Sequence, residues 1–311
     1  MRVLLTSTSF QDCDGEHKKL LAEQNWELSY LRGPLKKSEL IDIIHQFDAL
    51  ICGDDELDRE VLEIGKKGNL KYISKYGVGL DKIDLNAAQR LEIPVTNCRN
   101  VNEIAVAEHV LAMLFSFMKN IHGSHEITSI GGWERPIGRE LCNKRIGIIG
   151  LGAIGKELAT RTKSLGLITQ VFDVDPDFDF VSGNDLVMAE DIEEVFEQCD
   201  IVSLHVPLLE STKGLISSKL LEKHTKPGLI LINTARAALV SEQDIIGSLE
   251  SGILGGYLTD VLAKEPMESS CLLRGRERVL ITPHIGSRTY ETIQRQGSMA
   301  VRNLIELSSR G

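Results

Sequence analysis

The sequence predicts an α/β protein built on parallel sheets. Short β-branched runs alternate with helix-length amphipathic stretches along the chain, which is the rhythm of βαβ units. That rhythm runs twice, once before residue 100 and again from Arg145 onward, and a glycine-rich turn heads the second series. The length of 311 residues agrees, since at roughly 150 residues per domain it corresponds to about two domains with sizeable cores.

In the first series, residues 3–6, 49–52, 72–74 and 94–96 read as strands, and 17–25, 38–46, 58–67 and 86–90 as helices. The second series begins with RIGIIG at Arg145 and continues through strands at 168–172, 201–205, 229–233, 254–258 and 279–282. Between them, residues 102–121 fit one long helix that is apolar on more than one side, as a helix packed between two domains would be. The acidic loop Gly53-Asp54-Asp55-Glu56 reads as solvated and as leading into a helix.

Composition excludes several classes of function. Thirty-five Lys and Arg against 45 Asp and Glu leave a net charge of −10, so a nucleic-acid partner is not expected. Apolar residues make up 42% and charged residues 26%, ordinary globular usage. The longest apolar stretch, 104–118, carries Glu108 and His109 and is shorter than the roughly 20 residues of a membrane span, so no membrane partner is expected. The start, MRVLLTSTSF, lacks the apolar region of a signal peptide, and the six cysteines include no C-x-x-C pair. Both point to the cytoplasm. His122 and His125 have no neighbouring carboxylate or cysteine to complete a ligand set, and no metal is expected.

The glycine-rich turn carries the first chemistry. Gly150, Gly152 and Gly155 have G-x-G-x-x-G spacing directly after a strand and at the start of a helical run. With 27 glycines the spacing alone would arise by chance about 0.2 times per chain, so its position between strand and helix is what gives it meaning. The first glycine permits the turn, the second admits a pyrophosphate to the backbone, and the third allows close helix packing. The amides at the helix start then receive the phosphates. This is a Rossmann-type dinucleotide fingerprint. Asp173 ends the next strand, 18 residues after Gly155, where a carboxylate binds both ribose hydroxyls and repels a 2′-phosphate. No Arg follows it in Val174-Asp175-Pro176, so the cofactor expected is NAD.

The other strands of this series end in His205 and Pro207, in Asn233, Thr234 and Arg236, in Asp260, and near His284. Ligands of open α/β sheets sit outside the carboxyl ends of the strands, which makes these residues one candidate site. Val206, Ala235 and Gly286 flank them and are counted with the cofactor contacts.

These segments resemble the D-isomer-specific 2-hydroxyacid dehydrogenase family, nearest its phosphoglycerate dehydrogenase-like branch. The resemblance spans nearly the whole chain: SKYGVGLDKID (74–84), VNEIAVAEHVLAMLF (101–115), GIIGLGAIGKELA (147–159), LHVPLLESTKGLI (204–216), LINTARAALV (231–240), DVLAKEP (260–266) and TPHIGS (282–287). It implies that Arg236 binds the substrate carboxylate, that His284 is the acid/base and that Glu265 is its partner. It implies cofactor contacts at Ala153, Ile154, Asp173, Thr234 and Asp260. It also implies a flavodoxin-like substrate domain formed by residues 1–99 with 288–311, and an NAD domain of 100–287. A homodimer is implied too, built through the cofactor domain with the segment around Ile121 to Trp133 as an arm. Two departures stand out: Ala237 replaces a glycine frequent after the arginine, and Met267-Glu268-Ser269-Ser270 replaces a proline-rich stretch.

The residue types suit the reduction of a 2-oxo acid on their own terms. That reaction needs a hydride donor beside the carbonyl carbon, a proton donor to the developing alkoxide, and a cation to orient the carboxylate. Arg236 offers a planar bidentate fork, and His284 delivers a proton near neutral pH with Glu265 fixing its tautomer. The amides of Val78 and Gly79, in the glycine turn after Ser74, suit the carboxylate from the other domain. Lys75 beside that turn is the cation available for a phosphorylated substrate, whereas the Asp54 loop would repel one. A regulatory NAD-sensing module like the C-terminal binding protein corepressors is the alternative, and the retained Arg, Glu and His argue against it. Formate oxidation is disfavoured by Glu265, where that branch carries Gln.

Overall fold

Apolar residues in the strands alternate between two faces, and both faces find cover. In the computed structural model, which describes residues 1–309, the chain divides into two compact units. One is Met1–Asn102 together with the segment from Arg288 onward, and the other is Glu103–Ser287.

The first unit holds five parallel strands, β1 (Arg2–Leu5), β2 (Glu27–Tyr30), β3 (Ala49–Cys52), β4 (Tyr72–Lys75) and β5 (Val95–Asn97). Their order is β2-β1-β3-β4-β5, a flavodoxin-like arrangement whose strand order reverses between β1 and β3. Leu4 packs on one side with Leu40, Ile44 and Leu62, while Val3 and Leu5 pack on the other. That second side is covered by the C-terminal helix Tyr290–Ser309, which buries Ala300, Val301 and Leu304 against it. The Ser74 hydroxyl ties this helix down by donating to the Ala300 carbonyl at 2.8 Å. Strand β2 does not appear among the strands expected from sequence. It lies at the sheet edge and is half exposed, so it has no apolar run to reveal it.

The second unit holds seven parallel strands: β6 (Arg145–Ile149), β7 (Ile168–Phe172), β8 (Val187–Met188), β9 (Ile201–Leu204), β10 (Leu229–Asn233), β11 (Leu254–Thr259) and β12 (Val279–Ile281). Their order, β12-β11-β10-β9-β6-β7-β8, is the doubly wound Rossmann order extended by one strand, with its reversal between β6 and β9. Along β10, Ile230 and Ile232 face one core while Leu229 and Leu231 face the other. The long helix Glu103–Met118 belongs to this unit and buries Ala107, Val110, Leu111 and Leu114 against Ile146, Ile148 and Leu158. It bends by 62° into the helix Ile121–Ser129, which buries nothing. Beyond that helix Ile130, Trp133 and Ile137 are 87%, 80% and 95% exposed. Among the described residues no single helix is long and apolar enough to cross a membrane.

Candidate active site

Each glycine of the turn after β6 meets a different constraint. Gly150 has φ +100°, and a Cβ there would lie 2.7 Å from the His205 carbonyl, so the β6 and β9 ends approach by backbone alone. Gly155 sits in the first turn of the helix Ala153–Ser164, where a Cβ would fall 2.0 Å from the Gly150 oxygen. Gly152 caps that helix, and a Cβ on it would meet nothing within 4 Å. The open side of the turn thus faces the helix start, with Ala153 and Ile154 in its first turn.

Asp173 follows β7 beside this turn. One carboxylate oxygen accepts the Leu151 amide at 2.5 Å and the other the Asp175 amide at 3.0 Å, which fixes the group at the strand end. Past the end of β9, the His205 Nε2 pairs with the Ser203 hydroxyl at 2.8 Å, and burial pushes the ring's pKa down to about 4. His205 is therefore neutral at physiological pH, and Val206 and Pro207 continue the same loop. At the end of β10 the Thr234 hydroxyl is buried without a hydrogen-bond partner among the described residues. A buried hydroxyl of this kind is completed by a water or a ligand atom. The open face at Gly152, the anchored Asp173 and the orphaned Thr234 hydroxyl together fit a dinucleotide with a free ribose diol.

Arg236 leaves the same strand end in an extended conformation that Asn233 enforces. The Asn233 side chain donates to the Arg236 carbonyl at 2.9 Å and accepts the Ala235 amide at 3.1 Å. The Arg236 guanidinium donates to the Ala235 carbonyl at 2.7 Å. Ala237 opens a short 3₁₀ turn without positive φ, so glycine is not required at this position.

His284 and Glu265 meet. Nδ1 of His284 lies 2.8 Å from Oε2 of Glu265, whose other oxygen accepts the Leu262 amide at 2.9 Å. Both side chains are a little over a third exposed, open enough for a substrate to reach. A carboxylate at this distance favours a proton on Nδ1. His284 has φ +54°, a left-handed conformation that is uncommon for a side chain of this kind. Asp260, buried at the end of β11, accepts the amides of Ile285 at 2.9 Å and Gly286 at 2.7 Å just beyond it. Burial alone would raise the Asp260 pKa, but hydrogen bonds from His109, Thr282 and these amides hold it below the ordinary carboxylate value.

In the first unit, Lys75 ends β4 with its side chain 3% exposed. Its ammonium donates to the Gly53 carbonyl and to Asp54, the latter at 2.7 Å. The acidic loop departs from the solvated loop expected. Asp55 is 1% exposed and accepts from the Thr6 hydroxyl, the Gly53 amide at 3.0 Å and the Leu35 amide at 2.7 Å. Beyond Lys75, Gly77 has φ +142° and the amides of Val78 and Gly79 make no hydrogen bond among the described residues.

Residues 111–286 match the family model described as "D-isomer specific 2-hydroxyacid dehydrogenase, NAD binding domain". The chain belongs to the D-isomer specific 2-hydroxyacid dehydrogenase family. It is 35% identical to a glyoxylate reductase of Thermofilum pendens over 88% of this chain and 81% of that protein. It is also 35% identical to the D-3-phosphoglycerate dehydrogenase of Bacillus subtilis, over 83% of this chain but 51% of that protein, so it spans about half of that longer relative. The crystal structure of the TT0316 protein from Thermus thermophilus superposes with a TM-score of 0.88 at 32% identity, covering 100% of this chain and 97% of that one. As a member of this family the chain is an NAD-dependent oxidoreductase that interconverts 2-oxo and 2-hydroxy acids. When bound, NAD supplies or receives the hydride.

Sequence reasoning passed over two participants. His109 entered it only as a polar interruption of an apolar helix, and Asp55 only as part of an acidic run. Each is identified by its hydrogen-bond partners, which lie 173 and 49 residues away in the chain.

Proposed function

We propose that the chain reduces a small unphosphorylated 2-oxo acid, of the hydroxypyruvate or glyoxylate type, to its D-2-hydroxy acid with NADH. The observation that carries this reading is the state of Lys75. A dianionic phosphate requires cations that are free to meet it. Here the ammonium nearest the Gly77 turn is buried and already shared between the Gly53 carbonyl and Asp54. The loop beside it adds carboxylates rather than cations.

In this reading the second unit carries the cofactor on Gly150, Gly152, Ala153, Ile154, Gly155, Asp173, His205, Val206, Pro207, Thr234, Ala235, Asp260 and Gly286. Arg236 takes the substrate carboxylate with its bidentate fork. His284 delivers a proton from Nε2 to the oxygen that becomes the alcohol, and Glu265 stabilises the imidazolium before transfer. Within the first unit, the Val78 and Gly79 amides are the groups suited to a carboxylate, and Lys75 holds the Asp54 loop in place. The protein acts in the cytoplasm as a homodimer, and the exposed Ile130, Trp133 and Ile137 that follow the bare helix Ile121–Ser129 form the arm that a second copy covers.

The test is NADH oxidation with glyoxylate, hydroxypyruvate, phosphohydroxypyruvate, pyruvate and 2-oxoglutarate at low and moderate salt. Hydroxypyruvate or glyoxylate should give the highest kcat/KM. A clear preference for phosphohydroxypyruvate, weakened by salt or by Lys75→Ala, would overturn the assignment. A stable monomer in light scattering would remove the dimer from it.

A further inference from the structure

We propose that His109 is a positioning residue for His284, acting through Thr282 and Asp260. All four residues belong to the second unit, and the proposal rests on His284 being the proton donor.

His284 lies in a loop that would not hold its shape unaided. Its φ of +54° places a β-carbon against the backbone, a conformation that is unfavourable for residues other than glycine. The loop is therefore pinned on both sides of it. Before it, the Thr282 hydroxyl donates to Oδ1 of Asp260 at 2.5 Å. After it, the Ile285 amide donates to the same oxygen at 2.9 Å and the Gly286 amide to Oδ2 at 2.7 Å. The His284 amide itself donates to the Thr282 carbonyl at 3.0 Å. Moving Asp260 or Thr282 would therefore move His284.

His109 locks this arrangement from the helix Glu103–Met118. Its Nε2 lies 2.9 Å from the Thr282 hydroxyl and 3.4 Å from Oδ1 of Asp260. Because the Thr282 hydrogen is engaged by Asp260, the threonine oxygen must accept here, and the donor is Nε2–H of His109. The same ring fills the space that a side chain at Gly286 would need, since a Cβ there would lie 3.4 Å from Cδ2 of His109 and 2.9 Å from Asp260. His109 is thus both the donor that orients the Thr282 hydroxyl toward Asp260 and the wall against which the loop beyond His284 rests. Without it, Thr282 has a lone pair with no donor and can rotate away, and the left-handed conformation at His284 loses one of its restraints.

His109→Leu removes the donor, while His109→Gln keeps an N–H near the same place. With the best substrate of the panel above, His109→Leu should lower kcat by about ten- to a hundredfold, the scale set by slight misplacement of a reacting group, and should raise the KM for NADH by a smaller factor, since Asp260 and Gly286 are also cofactor contacts in that reading. His109→Gln should recover most of that loss. Thr282→Val breaks the same link, so combining it with His109→Leu should cost no more than the worse single change. Should His109→Leu fail to fold, the comparison of Thr282→Val with His109→Gln carries the test.

A second readout needs no turnover. In ¹⁵N-histidine-labelled protein, the Nδ1–H resonance of His284, assigned by its loss in His284→Gln, should shift or broaden in His109→Leu and return in His109→Gln. An unchanged kcat and resonance in His109→Leu, a loss confined to the KM for NADH, or additive effects in the double variant would overturn the proposal. If the wild-type protein reduces no 2-oxo acid, the proposed function fails, and the resonance still decides whether His109 positions His284.

Discussion

The two units carry the same kind of crevice and treat it in opposite ways. In each parallel sheet the strand order reverses once, between β1 and β3 in the first unit and between β6 and β9 in the second, and an open α/β sheet gathers ligands at that place. In the second unit the reversal is left open: glycine faces empty space at Gly152, and a nearby hydroxyl, Thr234, has no partner among the described residues. In the first unit the corresponding place is filled by the protein itself. Asp55 reaches across to the Thr6 hydroxyl and gathers the Gly53 and Leu35 amides. The Val78 and Gly79 amides, which make no hydrogen bond among the described residues, lie one strand further on, after β4. Topology marks a region of the sheet, and the side chains at the strand ends decide whether a ligand or the protein occupies it.

The largest expected effect lies on the open side. Replacing His284 with Ala should lower kcat by about 10² to 10⁴, the usual contribution of a positioned acid/base, while NADH still binds. Glu265→Gln should retain more activity but move the pH dependence of kcat, because the neutral amide no longer stabilises the imidazolium. Steady-state rates across pH with fluorescence titration of NADH check both. Wild-type rates in His284→Ala would detach the chemistry from this crevice.

On the closed side the expected loss is of stability. Asp55→Ala leaves the Thr6 hydroxyl and the Leu35 amide without their acceptor, and the Gly53 amide with the Thr6 oxygen at 3.2 Å, in a setting where each buried group left unpaired costs about 1 to 3 kcal/mol. Partial access of water reduces the sum, so about 3 kcal/mol is expected from urea unfolding. Gly152→Val should do the reverse. Its side chain meets open space and leaves the unfolding transition within about 1 kcal/mol of wild type, yet it stands where a pyrophosphate approaches and should weaken NADH binding at least about tenfold. If Asp55→Ala is as stable as wild type, or Gly152→Val binds NADH normally, the contrast between the crevices does not hold.

The open crevice was legible in the sequence, and the closed one was not. Gly152, Gly155 and Asp173 are read from spacing because the constraints that select them act within a single βαβ unit, and Gly150 shares that spacing although the His205 carbonyl that crowds it lies 55 residues on. Arg236, Glu265 and His284 stand at or near strand ends and were reached through position and resemblance. Asp55 and Lys75 owe their state to partners on other strands, and no local pattern distinguishes a buried, fully paired carboxylate from a solvated one. The edge strands β2 and β8 escaped for a related reason: one is half exposed and shows no apolar run, and the other has two residues, too short to stand out. His109 shows the limit most plainly, since the polar residue that interrupts an apolar helix is the one that reaches Thr282.

The smallest effect tests how dry the open crevice is at its inner wall. Burial lowers the pKa of His205 from 6.5 to about 4, so the folded chain keeps this ring neutral where the unfolded chain takes up a proton. For a group depressed in this way, its contribution to stability is complete above pH 6.5 and is lost progressively as the pH falls from 6.5 toward 4. His205→Gln has no titration, and its amide can still pair with the Ser203 hydroxyl. Unfolding free energies at pH 7, 6 and 5 should therefore fall more steeply for the wild type than for His205→Gln, and taking the difference between the two cancels the remaining seven histidines. Equal slopes would mean that water reaches the His205 ring and that the end of β9 is as wet as an ordinary loop.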